Sequence, residues 1–269
     1  MIKKIVLVLG LVAGFWLYNR LVDNVHVSDF YLNKWPKVSS QTVDPQVKNE
    51  ALTILGQPFT YLGKGRQFFA FESQDKQWVL KFIKCQRINE WYEEIPVLAH
   101  LSYFRKERLE DKARRVHDLF QSLQLASGPL QDLTGVLIAH VEQKPEFQMQ
   151  VTVIDALGIS HKVPLDEVPF VLQRKAQNIF PVLKESKNKN ERLEQLYTLF
   201  YTLADRGVVD IDDGAVLRDN IGFLQDRAVY IDIGTFRIDS HAKERLKRDL
   251  ERLRPVELWL KNVGNDDQN

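Results

Sequence analysis

One stretch constrains this chain more than any other. From Gly207 to Phe236 it reads GVVDIDDGAVLRDNIGFLQDRAVYIDIGTF. Asp210, Asp212 and Asp213 come first, Asn220 follows, and Asp232 closes the set inside Tyr-Ile-Asp-Ile-Gly. The setting reads as strand, loop and strand. Acidic groups gather in this way for two reasons: they hold a hard cation such as Mg²⁺, or they are turn residues that happen to be acidic.

Composition removes some alternatives. The net charge of +1 gives no basic excess, which argues against a nucleic-acid partner. Cys85 is the only cysteine, so an intramolecular disulfide and a multi-cysteine zinc site are both excluded. A hydrophobic content of 44% and a charged content of 27% suit a folded globular chain.

The N-terminus opens with Lys3 and Lys4 and continues as the apolar run Ile5–Tyr18 before Arg20. A basic start before such a run predicts a signal-anchor or transmembrane segment over residues 1–22, with a cleaved signal of a secreted protein or a buried helix as the alternatives. No small-x-small cleavage site follows, and Trp16 and Tyr18 suit a membrane interface. Lys3 and Lys4 outweigh Arg20, which puts the bulk of the chain on the far side of the membrane. Residues 23–56 read as a tether and docking arm that holds a short helix between Asp44-Pro45 and Gly56.

From Phe59 the pattern changes to strands. FTYLGKGRQFFAFES and QWVLKFIK predict a three-stranded antiparallel meander with Gly63 and Gly65 at its first turn. That turn is either a hairpin needing permissive backbone or a flexible loop whose N–H groups approach phosphates. Lys81 lies between apolar neighbours at period two, as an edge-strand lysine or as a buried cation with a purpose. A charged helix follows, with Glu107 and Glu110 near the start of its apolar stripe. Further strands run over Gly135–His140, through a hairpin about Leu157-Gly158, and over Phe170–Ala176, the last read as central. His140 and His161 are ordinary strand histidines. Residues 57–177 thus form a sheet-rich lobe. Residues 178–263 form a mainly helical one, including a helix that Gly207 caps and a final helix over roughly Ser240–Val263, and a polar tail covers 264–269.

The order of these features resembles the protein kinase-like fold. Gly63 and Gly65 with Phe69-Ala70-Phe71 resemble its glycine loop, and Val79-Leu80-Lys81 its Val-Ala-Ile-Lys strand. Asp212 and Asn220 resemble the catalytic-loop Asp and Asn, and Asp232-Ile233-Gly234 the Asp-Phe-Gly motif. The resemblance covers about Phe59 to Thr235. It implies an α+β, two-lobed fold with an antiparallel-sheet N-lobe and a reduced helical C-lobe. It also implies ATP and Mg²⁺ as cofactors. Lys81 then pairs with the phosphates and with Glu107 or Glu110, and Asn220 and Asp232 hold the metal. Asp212 serves the acceptor hydroxyl, with Asp210 and Asp213 as rivals. Asn220 follows Asp212 at a wider spacing than the family's catalytic loop, by about three residues. No His-Arg pair precedes the aspartate, and Ile233 replaces Phe. The short stretch after Asp232 points to a small or non-protein acceptor. The alternative is a membrane-tethered pseudokinase-like scaffold, and a third reading leaves the aspartates as turn residues of an unrelated α+β protein.

Overall fold

The computed structural model describes residues 2–38, 42–88, 103–212 and 220–266. The N-terminal segment forms helix α1 (Ile2–Leu21). Among the described residues, no helix is long and apolar enough to cross a membrane. The membrane-spanning anchor expected over residues 1–22 is therefore not shown among the described residues, which leave out the side chains of residues 2–9.

After α1 the chain reverses through Asp23 and Asn24, both at positive φ (54° and 51°). Val25, Phe30 and Leu32 are then buried, and the Phe30 ring stacks on Phe82 with centroids 4.4 Å apart. Helix α2 (Pro45–Leu55) starts where Asp44-Pro45 predicts. The Asp44 carboxylate accepts from the Gln46 amide at 2.7 Å. Pro45 takes the first helical position, where a missing amide hydrogen is harmless.

The meander forms as β1 (Phe59–Lys64), β2 (Phe68–Ser73) and β3 (Trp78–Ile83). It belongs to a seven-stranded sheet with β4 (Val136–His140), β5 (Gln150–Ile154), β6 (Ser160–Pro164) and β7 (Phe170–Arg174), in the order β4-β7-β3-β2-β1-β5-β6. The central position expected for Phe170–Ala176 is met by β7, which lies between β4 and β3. All six residues of β3 are buried. Lys81 thus sits in an interior strand, which decides against a defensive edge lysine. One sheet face carries Phe59, Phe71, Leu80 and Phe82 against the N-terminal arm. The other packs Ile83 and Val171 against Leu119, Phe120 and Leu123 of the long helix α3 (Tyr103–Ser127). A single turn, α4 (Gln131–Thr134), follows it.

The second part holds α5 (Ile179–Glu185), α6 (Lys189–Asp205), α7 (Ala242–Glu251) and α8 (Arg254–Asp266). Gly207, at φ 68°, ends α6 in the left-handed conformation that a helix terminus favours. The final helix expected over roughly Ser240–Val263 is instead two helices. Pro255 has no amide hydrogen to continue α7, but it fits the first turn of a new helix. Two small sheets complete this part. One orders β11 (Arg227–Tyr230), β10 (Ile221–Leu224) and β8 (Gln177–Asn178), and the other pairs β12 (Phe236–Ile238) with β9 (Val208–Asp210). The architecture is mixed α+β, with the seven-stranded sheet as its largest layer.

Candidate functional site

The β10–β11 hairpin assembles the first half of the site. Its register pairs Ile221 with Tyr230, so the next residues outward, Asn220 and Ile231, must face each other. The Asn220 carbonyl accepts the amides of Ile231 at 2.6 Å and Asp232 at 3.2 Å. Asn220 and Asp232, twelve positions apart, are neighbours for this reason. Asn220 is buried, and its Nδ2 has no hydrogen-bond partner among the described residues.

Lys81 enters from the sheet. Its Nζ donates to the Ile231 carbonyl at 2.6 Å and lies 5.8 Å from the centroid of the Phe68 ring. Burial pulls its pKa down to about 8, and the Asp232 carboxylate opposes that shift. Lys81, Asn220 and Asp232 therefore meet in one place.

The aspartates ahead of Asn220 divide. Asp210 closes β9 and is buried. Its Oδ1 accepts from Thr235 Oγ1 at 2.7 Å and from the Asp212 amide at 3.1 Å, and Arg252 Nη1 approaches Oδ2 at 3.7 Å. Burial raises the pKa of this carboxyl, against the lowering effect of those three partners. Asp210 thus faces inward and fastens the β9–β12 pair. Asp212 is half-buried and ends the described stretch. Asp213 lies outside the described residues.

The glycine loop joins β1 to β2. A Cβ on Gly63 or Gly65 would meet nothing within 4 Å. Lys84 Nζ donates to the Gly65 carbonyl at 2.5 Å, and Arg87 Nη1 to the Arg66 carbonyl at 3.0 Å. Glu110 is exposed on α3. Along the axis it lies about 18 Å before Ser122, the α3 residue that touches the Asp-Ile-Gly segment, given the α-helical rise. The side chain of Glu107 lies outside the described residues. Among the described residues, the carboxylate acting on Lys81 is that of Asp232.

Three supporting residues escape a reading of the sequence. Ser122, fully buried, donates to the Ile233 carbonyl at 2.5 Å and accepts from the Phe236 amide at 2.7 Å. Its only sequence signal is a hydroxyl on an otherwise apolar helix face. Gln173 of β7 donates to the Thr134 and Tyr230 carbonyls at 2.7 and 3.0 Å, tying the sheet to the hairpin. Gln67 of the glycine loop lies against Gly234, with Nε2 3.5 Å from its carbonyl. Among the described residues no cluster of three His, Cys, Asp or Glu side chains could hold a metal alone.

No family model matches the chain, and no curated protein matches it. Among solved structures, a 2.2 Å crystal structure of WbdD aligns with 65% of this chain at 12% identity and a TM-score of 0.36. A co-crystal structure of WbdD and the kinase inhibitor LY294002 aligns with 73% at 11% identity and a TM-score of 0.37. The chain spans about a third of the WbdD chains it is similar to (32% and 37%).

Proposed function

We propose that this chain is an atypical kinase-like phosphotransferase acting with Mg²⁺ and ATP. The observation that carries the reading is the meeting of Lys81, Asn220 and Asp232, residues from two distant stretches that phosphoryl transfer needs together. A buried lysine whose charge is sustained by one carboxylate suits a phosphate-binding cation. Asp232 and Asn220 offer a carboxylate and a carboxamide, the hard oxygen donors Mg²⁺ takes when phosphates and water supply the rest. Mg²⁺·ATP would supply the transferable phosphoryl group and its charge neutralisation. Lys81 would orient the phosphates, and the glycine loop would cover them and keep water out. Asp212 would hold the proton of the acceptor hydroxyl, because the Asp210 carboxylate is already engaged inside the fold. Only Ile233–Thr235 separate Asp232 from β12, which leaves no long segment there to dock a peptide. This supports a small or non-protein acceptor.

A thermal-shift titration with Mg²⁺·ATP tests the reading. The wild type should be stabilised, and Asp232→Asn should lose the effect. No shift in the wild type removes the reading. One observation favours a second one, a kinase-like scaffold without catalysis: Gln67 already covers Gly234. Steady transfer of the terminal phosphate to water or an added hydroxyl compound by the wild type, absent in Asp212→Ala, would exclude it.

Membrane attachment is part of the proposal. Leu11, Phe15 and Trp16 of α1 are each more than 60% exposed, which supports contact of this helix with lipid. Co-sedimentation with vesicles, lost when these three become serine, is the expected result.

A further inference from the structure

We propose that Gln67 is a latch that shuts the glycine loop on the Asp-Ile-Gly segment and gates the nucleotide site. The inference rests on the nucleotide-binding reading above and assigns its regulation.

The geometry is specific. A Cβ built on Gly234 would lie 1.7 Å from Gln67 Oε1 and 2.7 Å from its Cδ. The carboxamide therefore occupies the space a side chain at 234 would need. The contact also leaves Gln67 unsatisfied: among the described residues Oε1 is buried without a hydrogen-bond partner, and Nε2 reaches the Gly234 carbonyl only at 3.5 Å. A buried acceptor without a donor is a strained arrangement that a better partner can displace. Around it the loop is held by main-chain contacts. Gly65 donates to the Phe68 carbonyl at 2.9 Å, while Lys84 and Arg87 hold the carbonyls of Gly65 and Arg66. The loop thus rests in direct contact with the segment that carries Asp232. A triphosphate lying between loop and Asp232 requires Gln67 to leave. Apparent affinity is then reduced by the fraction of molecules in which the latch is shut.

The test uses the full-length chain as wild type, Gln67→Ala and Gly234→Ala. The first variant removes the carboxamide, and the second ejects it by filling its place. Two quantities are read: hydrogen exchange of the amides of residues 63–68 without nucleotide, and the calorimetric Kd for Mg²⁺·ATP. Both variants should exchange faster in the loop, and both should bind Mg²⁺·ATP more tightly, on the order of fivefold. Unchanged exchange in both variants overturns the latch. Faster exchange with unchanged or weaker ATP binding overturns its role as a gate. If no protein binds ATP, wild type included, the nucleotide reading and the gate fall together, and the exchange data alone decide whether Gln67 holds the loop.

Discussion

The ammonium of Lys81 donates to the main-chain carbonyl of Ile231 at 2.6 Å, across 150 positions of sequence. That bond joins the interior strand of the large sheet to the outer end of the β10–β11 hairpin. The hairpin register sets Asn220 opposite Ile231, and the next residue is Asp232. One lysine therefore senses the position of a whole hairpin and of both proposed metal-binding side chains. A charged group in a strand with no exposed residue is expensive unless it is compensated, and one carboxylate and one carbonyl compensate it only in part.

Replacing Lys81 by Met should stabilise the fold while removing nucleotide binding. The folded pKa of about 8 lies below the ordinary 10.5. Between those values the unfolded chain binds the extra proton, so wild-type stability rises with pH through that window. Below pH 8 the full penalty applies, ~3 kcal/mol at 1.36 kcal/mol per unit. Losing the bond to Ile231 offsets about 1 kcal/mol of the gain. Urea unfolding should find Lys81→Met more stable by roughly 1–2 kcal/mol at pH 7, with the difference shrinking by pH 10. A variant less stable at pH 7, with no pH dependence in the difference, would contradict this account of Lys81.

Asp210 and Asp212 should separate stability from activity. Asp210→Ala strips Thr235 and the Asp212 amide of their acceptor and removes the carboxylate 3.7 Å from Arg252. It should cost about 3 kcal/mol, as removal of one partner from a buried charged network does. Asp212→Ala should stay within about 0.5 kcal/mol of wild type, the usual effect of a substitution away from buried networks, yet abolish phosphate transfer. Equal loss of stability in the two variants would remove the distinction.

The sequence made the local parts of this site readable and left the meeting points obscure. Asn220 and Asp232 flank an apolar hairpin, and period-two pairing brings its ends together. The caps of α2 and α6 were equally local, resting on Asp44-Pro45 and Gly207. The lysine's partner was not local. Helical periodicity tells which side of α3 is buried but not how far the helix slides along the sheet. Glu110 near its start is exposed and the side chain of Glu107 lies outside the described residues, while α3 reaches the Asp-Ile-Gly segment through Ser122. The depth of Lys81 also depended on β7, a strand ninety positions later that pairs beside β3. The charged pattern over Ser240–Val263 runs on without a break in its composition, whereas Pro255 fits the first turn of a second helix and divides it.

Ser122→Ala should weaken the fold more than its size suggests. The hydroxyl serves the Ile233 carbonyl and the Phe236 amide together, and both are enclosed by the core around Phe120 and Tyr230. Removing one oxygen leaves a buried donor and a buried acceptor unpaired, for an expected loss of about 2–4 kcal/mol in urea unfolding. Faster hydrogen exchange at Phe236 should accompany it. Exchange there at the wild-type rate would mean that the amide finds another partner.

His140→Phe should flatten the acid side of the stability profile. His140 is buried in β4 among the rings of Trp35, Phe147 and Phe170, with centroids 5.4, 5.3 and 5.5 Å away. Among the described residues neither ring nitrogen has a hydrogen-bond partner, and the Glu146 carboxylate lies 3.7 Å from Nδ1. Burial lowers the imidazole pKa; Glu146 and Asp166 oppose that effect and Lys144 adds to it. As the pH falls below the ordinary 6.5, the unfolded imidazole takes up its proton before the folded one. The unfolded state then binds more protons, so wild-type stability declines with acidity. Phenylalanine cannot titrate, and its edge suits the surrounding rings. The variant should match or exceed wild type by about 1 kcal/mol at pH 8, because no buried nitrogen is left unpaired. Its advantage should widen at pH 6 and again at pH 5. Unfolding curves that decline in parallel for the two proteins would assign the acid sensitivity to other groups.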